Sequence, residues 1–566
     1  MNDSAFSGLC EKLSRDRSDT LVTVRLPGAL LAKLDIGAFG QPAIVDDEGA
    51  ITMVAGEPLV ESNQSKRAGR YTDVLVLHDA LKRRRYEALR APRGTFSLAH
   101  YDKANHQLTL VTDRLGIRPI YWWSDAETVV FSSTLRLLES LAWLVKDVDL
   151  RGLSELVAFG YPLASRTGYA NVRLLQPAEM AQFSSDSTAL TEYWRWQDVE
   201  RSPSGLNTLS RHAFDAFVDG VRLRQGTDAT TTAFLSGGLD SRCIVAALRS
   251  DGVGVHSFNF ASIGSEDRVY GAQVARAAET IHEEYAVDDD FDVHWSALIA
   301  SARQRSTRDI KHRVERPNLI WSGDGGSVAL GHVYMGPSVV ERCFAGDLEG
   351  AAKAYVATEQ ANVPLRLLEQ SFARAAAAAP LNGVTEELLR LRSAELLQSF
   401  HLMLLHNDQH HHLHRHFEDI DLHRVELQLP FFDAEFVAVI ASIPIQERLY
   451  HRFYNGWLAN FPPYVADTYW QAYPGHEGCP VPKSDSLAYQ WDPSMAAVQS
   501  AKMRWRTVEI AIRILLSPDF ARPLMRRRML AAAALIHASG IRNFEYVILA
   551  ARTIQHHWSV SQRRRD

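Results

Sequence analysis

The sequence predicts a mixed α/β and α+β protein, with a β-rich first domain over residues 1–200 and a parallel-sheet α/β domain with a helical C-terminal part over residues 208–566. Three observations carry this. At roughly 100–200 residues per domain, a chain of 566 residues exceeds one core. The pattern of apolar runs changes after Trp196, and the stretch 201–207 between the two textures, RSPSGLN, is small and polar as a linker is.

Short apolar runs at 21–26, 43–45, 95–101, 108–112 and 129–131 are bounded by Gly, Pro and Asp, as strands are. Beyond the linker, 230–235 reads as a buried strand, 242–249 as a helix and 255–260 as a strand. A helix over 269–278 leads to a strand at 284–287, and a further apolar run reaches Trp321. Strands separated by helices need crossovers, which make the sheet parallel and cover both faces. From Leu348 onward, Ala-rich and Leu-rich stretches predict helices.

Hydrophobic residues make up 46% and charged residues 23%, which excludes disordered and fibrous classes. Lys plus Arg count 61 against 67 Asp plus Glu, a net charge of -6, so no dominant basic surface for nucleic acid is expected. The basic runs at 82–85, 526–528 and 563–565 read as solvated helix faces or a frayed terminus. Cys10, Cys243, Cys343 and Cys479 lie far apart without CxxC spacing, against a disulfide framework or zinc knuckle. The opening stretch lacks the apolar segment of a secretory signal, and no run approaches the ~18 apolar residues of a membrane span. A cytoplasmic protein is expected, with neither nucleic acid nor membrane as partner.

The most informative residues are Phe234-Leu235-Ser236-Gly237-Gly238-Leu239-Asp240-Ser241, where an apolar strand enters a Gly-Gly turn and then a helix. A helix N-terminus presents unpaired N–H groups and partial positive charge, and two glycines let the backbone approach a phosphate with no Cβ in the way. Ser236 and Ser241 add hydroxyls. Asp240 among phosphates calls for an intervening cation, and a hard ion such as Mg²⁺ prefers oxygen ligands. A plain capped turn needs less than two glycines between two serines followed by an acid. The Lys-dependent P-loop and the dinucleotide GxGxxG are both absent.

This segment resembles the SGGxDS loop of the PP-loop ATP pyrophosphatases, which cleave ATP between the α- and β-phosphates, transfer AMP to a substrate oxygen and release pyrophosphate. Further segments narrow the resemblance to the asparagine synthetase family. Gly94-Thr95-Phe96-Ser97, the run from Asp113 to Tyr121 (DRLGIRPIY) and Phe131-Ser132-Ser133 look like its N-terminal glutaminase-type domain, an Ntn αββα sandwich. Ser322-Gly323-Asp324-Gly325-Gly326-Ser327 looks like the second phosphate-site loop, SGEGADE, and Glu426 with Pro430-Phe431-Phe432-Asp433 looks like VExRxPFLD.

The chain also departs from that pattern. A glutamine-hydrolysing member uses an N-terminal Cys activated by its own amino group, whereas this sequence opens Met1-Asn2-Asp3. No glutaminase activity is expected, as in members without that nucleophile such as β-lactam synthetase and the lasso-peptide cyclases. The family's Asp-Glu pair is replaced by Ser327-Val328, and Asp324 occupies the loop Glu position. The Arg of VExRxPFLD is Gln428, and Tyr469-Trp470-Gln471-Ala472-Tyr473 lacks the expected Lys, with Tyr473, His476 and Lys483 as replacements. Six histidines crowd 406–416; His412 and His416 fall at i,i+4, a spacing that holds metals, but without HExxH a structural role is favoured. His282 reads as structural, and Ser265-Glu266-Asp267 as a helix cap or a ribose contact.

The resemblance implies an AMP-forming carbon–nitrogen ligase using ATP and Mg²⁺, which activates a carboxylate for attack by an amine; the substrates are small molecules or peptides, and a homodimer is compatible. Asp240 and Asp324 would hold the metal. Ser236, Gly237, Gly238, Leu239, Ser241, Ser322 and Gly323 would bind pyrophosphate and phosphates, with adenine near Leu235 and Phe260. Glu426, Asp324 and Tyr473 are the candidate catalytic residues, with Glu426 orienting or deprotonating the amine. The alternatives are an inactive scaffold that binds a partner and, last, sulfur transfer to RNA.

Overall fold

The computed structural model describes residues 3–15, 20–60, 69–261, 263–285, 314–332, 334–359, 361–473, 475–483, 487 and 501–563. Met1, Asn2, Arg564 and Arg565, which figured in the expectations above, lie outside the described residues, as do positions 286 and 287 of the third expected strand. The chain forms two compact units that cut across chain order: residues 1–120, 177–334 and 409–491 in the first, and 121–176, 335–408 and 492–566 in the second.

After the helix Asp3–Leu13, the first unit forms an antiparallel hairpin of β1 (Thr20–Leu26) and β2 (Ala29–Asp35), turned at Pro27-Gly28 with Gly28 at φ 78°. β3 (Ile44–Asp46), β4 (Ala50–Gly56), β5 (Phe96–Asp102) and β6 (Gln107–Thr112) follow. The chain then contributes β7 (Tyr121–Ser124), β8 (Val129–Ser132) and β9 (Arg173–Leu174) to the second unit. β10 (Glu179–Phe183) and β11 (Thr188–Glu192) complete an antiparallel sheet in the first unit, ordered β11-β10-β6-β5-β4-β3. The helix Arg70–Lys82 buries Val74, Leu77 and Leu81 against Val45, Val54, Leu98 and Val111 of this sheet. The run at 129–131 is a strand, but it pairs with β7 in the second unit rather than with this sheet.

A second sheet of the first unit is parallel throughout: β12 (Thr230–Phe234), β13 (Gly254–Phe260), β14 (Ile281–Tyr285), β15 (Leu319–Trp321) and β16 (Glu426–Gln428), in the order β14-β13-β12-β15-β16. The chain steps outward from β12 to β13 and β14, then crosses to β15 on the other side of β12. The order therefore reverses between β12 and β15, and in open α/β sheets a crevice opens outside the carboxyl ends of the strands at such a point. β14 begins at Ile281, three residues before the expected 284, because the ladder with β13 pairs Ile281 with His256. The helix expected over 269–278 starts at Glu266, where the Ser265 side chain accepts from the Arg268 N–H.

Asp433, fully buried, joins three distant segments of the first unit. Its carboxylate accepts from the N–H groups of Glu435 and Phe436, capping the helix Ala434–Ser442, and from Arg93 at 3.0 Å and Arg224 at 2.7 Å. Beside it Phe217, Phe431, Phe436, Trp457 and Phe461 pack ring against ring.

In the second unit β8-β7-β9 form a small antiparallel sheet, and helices Leu150–Phe159, Gln370–Arg390, Ala501–Leu516, Arg527–Ser539 and Glu545–Gln562 enclose a core that includes Leu153, Phe372, Leu530, Ile548 and Ile554. No helix among the described residues is long and apolar enough to cross a membrane. The helix Glu545–Gln562 is tied down by His556, whose Nε2 lies 2.9 Å from the Glu139 carboxylate; that hydrogen bond holds its pKa above the ordinary 6.5. A raised folded-state pKa gives stability that is complete below the unfolded value and fades as pH rises through the folded one. The melting temperature of His556→Gln should therefore fall furthest below that of the unchanged protein at pH values under 6.5 and converge with it as pH rises beyond that. The loss at low pH should be about 1 kcal/mol, the worth of a half-exposed charged hydrogen bond.

Candidate active site

β12 ends at Phe234, and the helix Leu239–Ser250 begins after Gly238, so Ser236-Gly237-Gly238 form the turn at the carboxyl end of a central strand. Its two hydroxyls shape the turn: Ser241 Oγ accepts from the Ser236 N–H at 3.0 Å and lies 3.1 Å from Ser236 Oγ, which accepts from the Gly238 N–H at 3.1 Å. The Gly237 N–H donates to Asp267 Oδ1 at 2.8 Å. Beneath the turn the buried Arg242 guanidinium donates to the carbonyls of Gly237 at 2.7 Å and Gly238 at 3.0 Å, and to those of Val465, Thr468 and Tyr469. Burial lowers its pKa to about 10, which leaves it cationic at neutral pH under the N-terminal end of the helix.

Gly237 has a direct steric requirement, since a Cβ there would lie 2.8 Å from the Asp267 Cα and 3.1 Å from the Asp267 carbonyl oxygen. Backbone cannot yield as a side chain does. Gly237→Ala should keep the far-ultraviolet circular dichroism spectrum and weaken ATP binding by at least ~10-fold, about 1.4 kcal/mol, in a titration with a fluorescent ATP analogue. Unchanged affinity would show that the turn does not carry the nucleotide.

The second loop, Ser322 to Ser327, leaves the adjacent strand β15 and closes over Asp240. Cβ atoms at Gly323 and Gly326 would come within 2.9 Å and 2.5 Å of Asp240 side-chain atoms, so side-chain-free residues at both positions permit the approach. Asp240 Oδ1 accepts from Tyr454 Oη at 2.5 Å, and Oδ2 from Ser327 Oγ at 2.8 Å and the Ser327 N–H at 3.2 Å. Burial pushes the Asp240 carboxyl up to about 6, against those hydrogen bonds. Asp324, close enough to raise it further, accepts from Ser322 Oγ at 2.5 Å and has its Oδ1 3.4 Å from His412 Nε2. Burial alone would raise Asp324; the bonds from His412 and Ser322 outweigh it and hold the group below its ordinary value.

Thus the structure gathers Ser236, Gly237, Gly238, Leu239, Asp240, Ser241, Ser322, Gly323 and Asp324 at neighbouring strand ends. Leu235 is buried beneath them, and Phe260 ends β13 with its ring 6.0 Å from Phe234 and 5.2 Å from Tyr285. Tyr473 stacks at 6.1 Å on His451, whose ring also lies 5.7 Å from Tyr454, the donor to Asp240. His476 Nδ1 is 2.8 Å from His451 Nδ1. Lys483 reaches Glu266 at 2.6 Å, next to the Asp267 that holds the Gly237 N–H.

Glu426 is the exception. It opens β16 opposite Leu319, while the second loop starts after Trp321, so at ~3.3 Å per residue it sits roughly 10 Å back along the strand. Its carboxylate is ion-paired with the buried Arg118, whose guanidinium lies 4.0 Å over the Phe417 ring. In the structure the partner of the Glu426 carboxylate is Arg118. Gln428, at the family's Arg position, donates to Glu57 at 2.9 Å. His282 Nδ1 lies 2.8 Å from Ser257 Oγ, in keeping with a structural role. Sequence reasoning missed Arg242, Tyr454 and the part played by His412; only the closeness of the histidine cluster to Glu426 hinted at the last.

Comparison with known proteins finds two domain families in the chain. Residues 59–194 match the glutamine amidotransferase domain family and residues 213–455 the asparagine synthase family. Glutamine-hydrolysing asparagine synthetase 3 of Bacillus subtilis is 29% identical over 27% of this chain and 25% of its own length. A putative asparagine synthetase 2 of Methanocaldococcus jannaschii is 24% identical over 38% of this chain and 43% of its own, and asparagine synthetase 1 of B. subtilis is 25% identical over 44% and 40%. The matched regions span less than half the length of these curated relatives. The two domain families are matched in order along the chain, a glutamine amidotransferase domain followed by an asparagine synthase domain.

Proposed function

We propose that the protein is an ATP-dependent carbon–nitrogen ligase that adenylates a substrate carboxylate, releases pyrophosphate and joins the acyl group to an amine. One observation carries the reading: two glycine loops converge on Asp240 at the carboxyl ends of adjacent parallel strands, where the strand order reverses. Ser236, Gly237, Gly238 and Ser241 would receive the pyrophosphate, with Arg242 fixing the carbonyls of the turn. Phe260 and Leu235 would border the adenine.

The donors suit Mg²⁺. Asp240, Asp324 and the Ser327 hydroxyl offer hard oxygen atoms, and a buried carboxyl pushed up to about 6 is an environment that a cation relieves. Asp240 and Asp324 would hold the ion, which would neutralise charge on the phosphates.

For amide formation His412, beside the second loop, would serve as the base. Asp324 orients the imidazole through Nε2, and Nδ1 accepts a proton from the attacking amine as nitrogen bonds to the acyl carbon and the carbon–oxygen bond to AMP breaks. The side chain is 74% exposed and so open to an incoming substrate. The amine comes from the substrate or a second molecule rather than from glutamine. Cys10 lies inside the helix Asp3–Leu13 and burial raises its thiol pKa, both unfavourable to a nucleophilic thiolate.

Exchange of labelled pyrophosphate into ATP, with Mg²⁺ and candidate carboxylic acids, tests the adenylation. His412→Ala should retain exchange and lose amide formation by about 10²- to 10⁴-fold, and loss of both together would remove His412 from the second step. Glutamate release from glutamine would exclude the proposed amine source. One observation favours a second reading, an inactive scaffold: Asp240 is already engaged by Tyr454 and Ser327, where the family has an Asp. Nucleotide binding with no exchange for any acid would support that alternative.

A further inference from the structure

We propose that His410, His411 and His414 form a transition-metal site separate from the nucleotide loops, with Zn²⁺ as its best-fitting ion. The histidine pair singled out by spacing, His412 and His416, is not the one the fold assembles. His412 faces Asp324, and His416 has its Nε2 2.8 Å from the Val425 carbonyl and its ring stacked on His423. In the helix His410–Glu418, positions i and i+4 share a face, and the His410 and His414 rings stack with centroids 4.5 Å apart. The His411 ring turns in beside them, 4.6 Å from His410 and 5.0 Å from His414.

One ligand atom from each of the three residues lies within 4.8 Å of the other two. Nitrogens bound at ~2.0–2.1 Å to one tetrahedral ion stand roughly 3.4 Å apart, so closing the set needs side-chain adjustments on the order of 1 Å. His414 supplies an independent observation. It is only 2% exposed and its Nε2 lies 3.0 Å from the Gly116 carbonyl, an acceptor that places the ring proton on that nitrogen. Nδ1 is then the lone-pair nitrogen, buried and without a hydrogen-bond partner. A ring whose far nitrogen donates to a backbone carbonyl is the usual support of a metal-bound histidine.

Three imidazoles select a borderline ion such as Zn²⁺ over Mg²⁺, and a three-histidine set leaves a fourth position for water or another ligand. The ion would brace the helix that carries His412 against the turn containing Gly116.

The test uses the full chain, free of any histidine tag and stripped with chelator. Calorimetric titration with Zn²⁺ should give one equivalent per chain, and Co²⁺ in its place should show the visible absorption of a tetrahedral site. His411→Ala, at a half-buried position, should weaken Zn²⁺ binding at least ~10-fold, with His411→Gln as the volume-keeping second variant; His412→Ala should leave the equivalent in place. Absence of a stoichiometric equivalent in the unchanged protein, its persistence in both His411 variants, or its loss in His412→Ala would each overturn the assignment.

Discussion

Asp433→Ala is expected to cost about 3–5 kcal/mol of folding stability, the range for removing one partner of a buried ion pair. The magnitude comes from what stays behind. Arg93 and Arg224 are both buried, and Asp433 is the carboxylate that each reaches. Truncation leaves two guanidinium groups without that counter-charge and uncaps the helix Ala434–Ser442, itself worth about 1 kcal/mol. Burial raises the Asp433 carboxyl, but the two arginines outweigh it and hold it below its ordinary 3.8. Its stabilisation is therefore present above that value and disappears as pH falls through the folded-state value. Urea denaturation at pH 7 followed by circular dichroism should show the full loss, and the gap between the two proteins should close in strong acid. A loss below about 1 kcal/mol would mean that the arginines find other acceptors at little cost.

The parts of the site that were legible in the sequence are the local ones. A strand, two glycines, an acid and a helix N-terminus stand within eight consecutive residues, and their chemistry follows from backbone geometry whatever surrounds them. The same holds for Ser322 to Ser327, where Gly323 and Gly326 fit directly against Asp240. What was not legible depends on pairing between distant segments. Glu426 was assigned to the chemistry because its motif follows the loops in family order, yet its place is set by strand register, which puts the start of β16 beside Leu319. Arg242 reads as an ordinary helical arginine until its five carbonyl partners are assembled, three of them from residues 465–469. Tyr454 and His412 come from separate helices, and nothing local marks either as a partner for a loop carboxylate. The early start of β14 has the same origin, since pairing with β13 recruits Ile281 and His282 ahead of the apolar run.

Asp240→Asn is expected to abolish most of the nucleotide chemistry while making the empty protein no less stable. The change keeps the shape of the side chain and removes the charge that would hold the cation. Pyrophosphate exchange should fall by about 10²- to 10³-fold, the cost of losing one preorganised electrostatic group. Stability should move the other way. Burial raises the Asp240 carboxyl to about 6, so its contribution is complete below the ordinary 3.8 and is lost as pH rises through 6. At pH 8 the ionised carboxylate is thus a burden on the folded state that the neutral amide does not carry. Without nucleotide or metal, the variant should melt at or above the temperature of the unchanged protein at pH 8, and this advantage should be gone at pH 4. A lower melting temperature at pH 8 would show that the bonds from Tyr454 and Ser327 outweigh the burial of the charge. Unimpaired exchange would be the more damaging result, because a residue kept ionised at an energetic cost and yet dispensable for turnover would leave the two loops with no chemistry to perform.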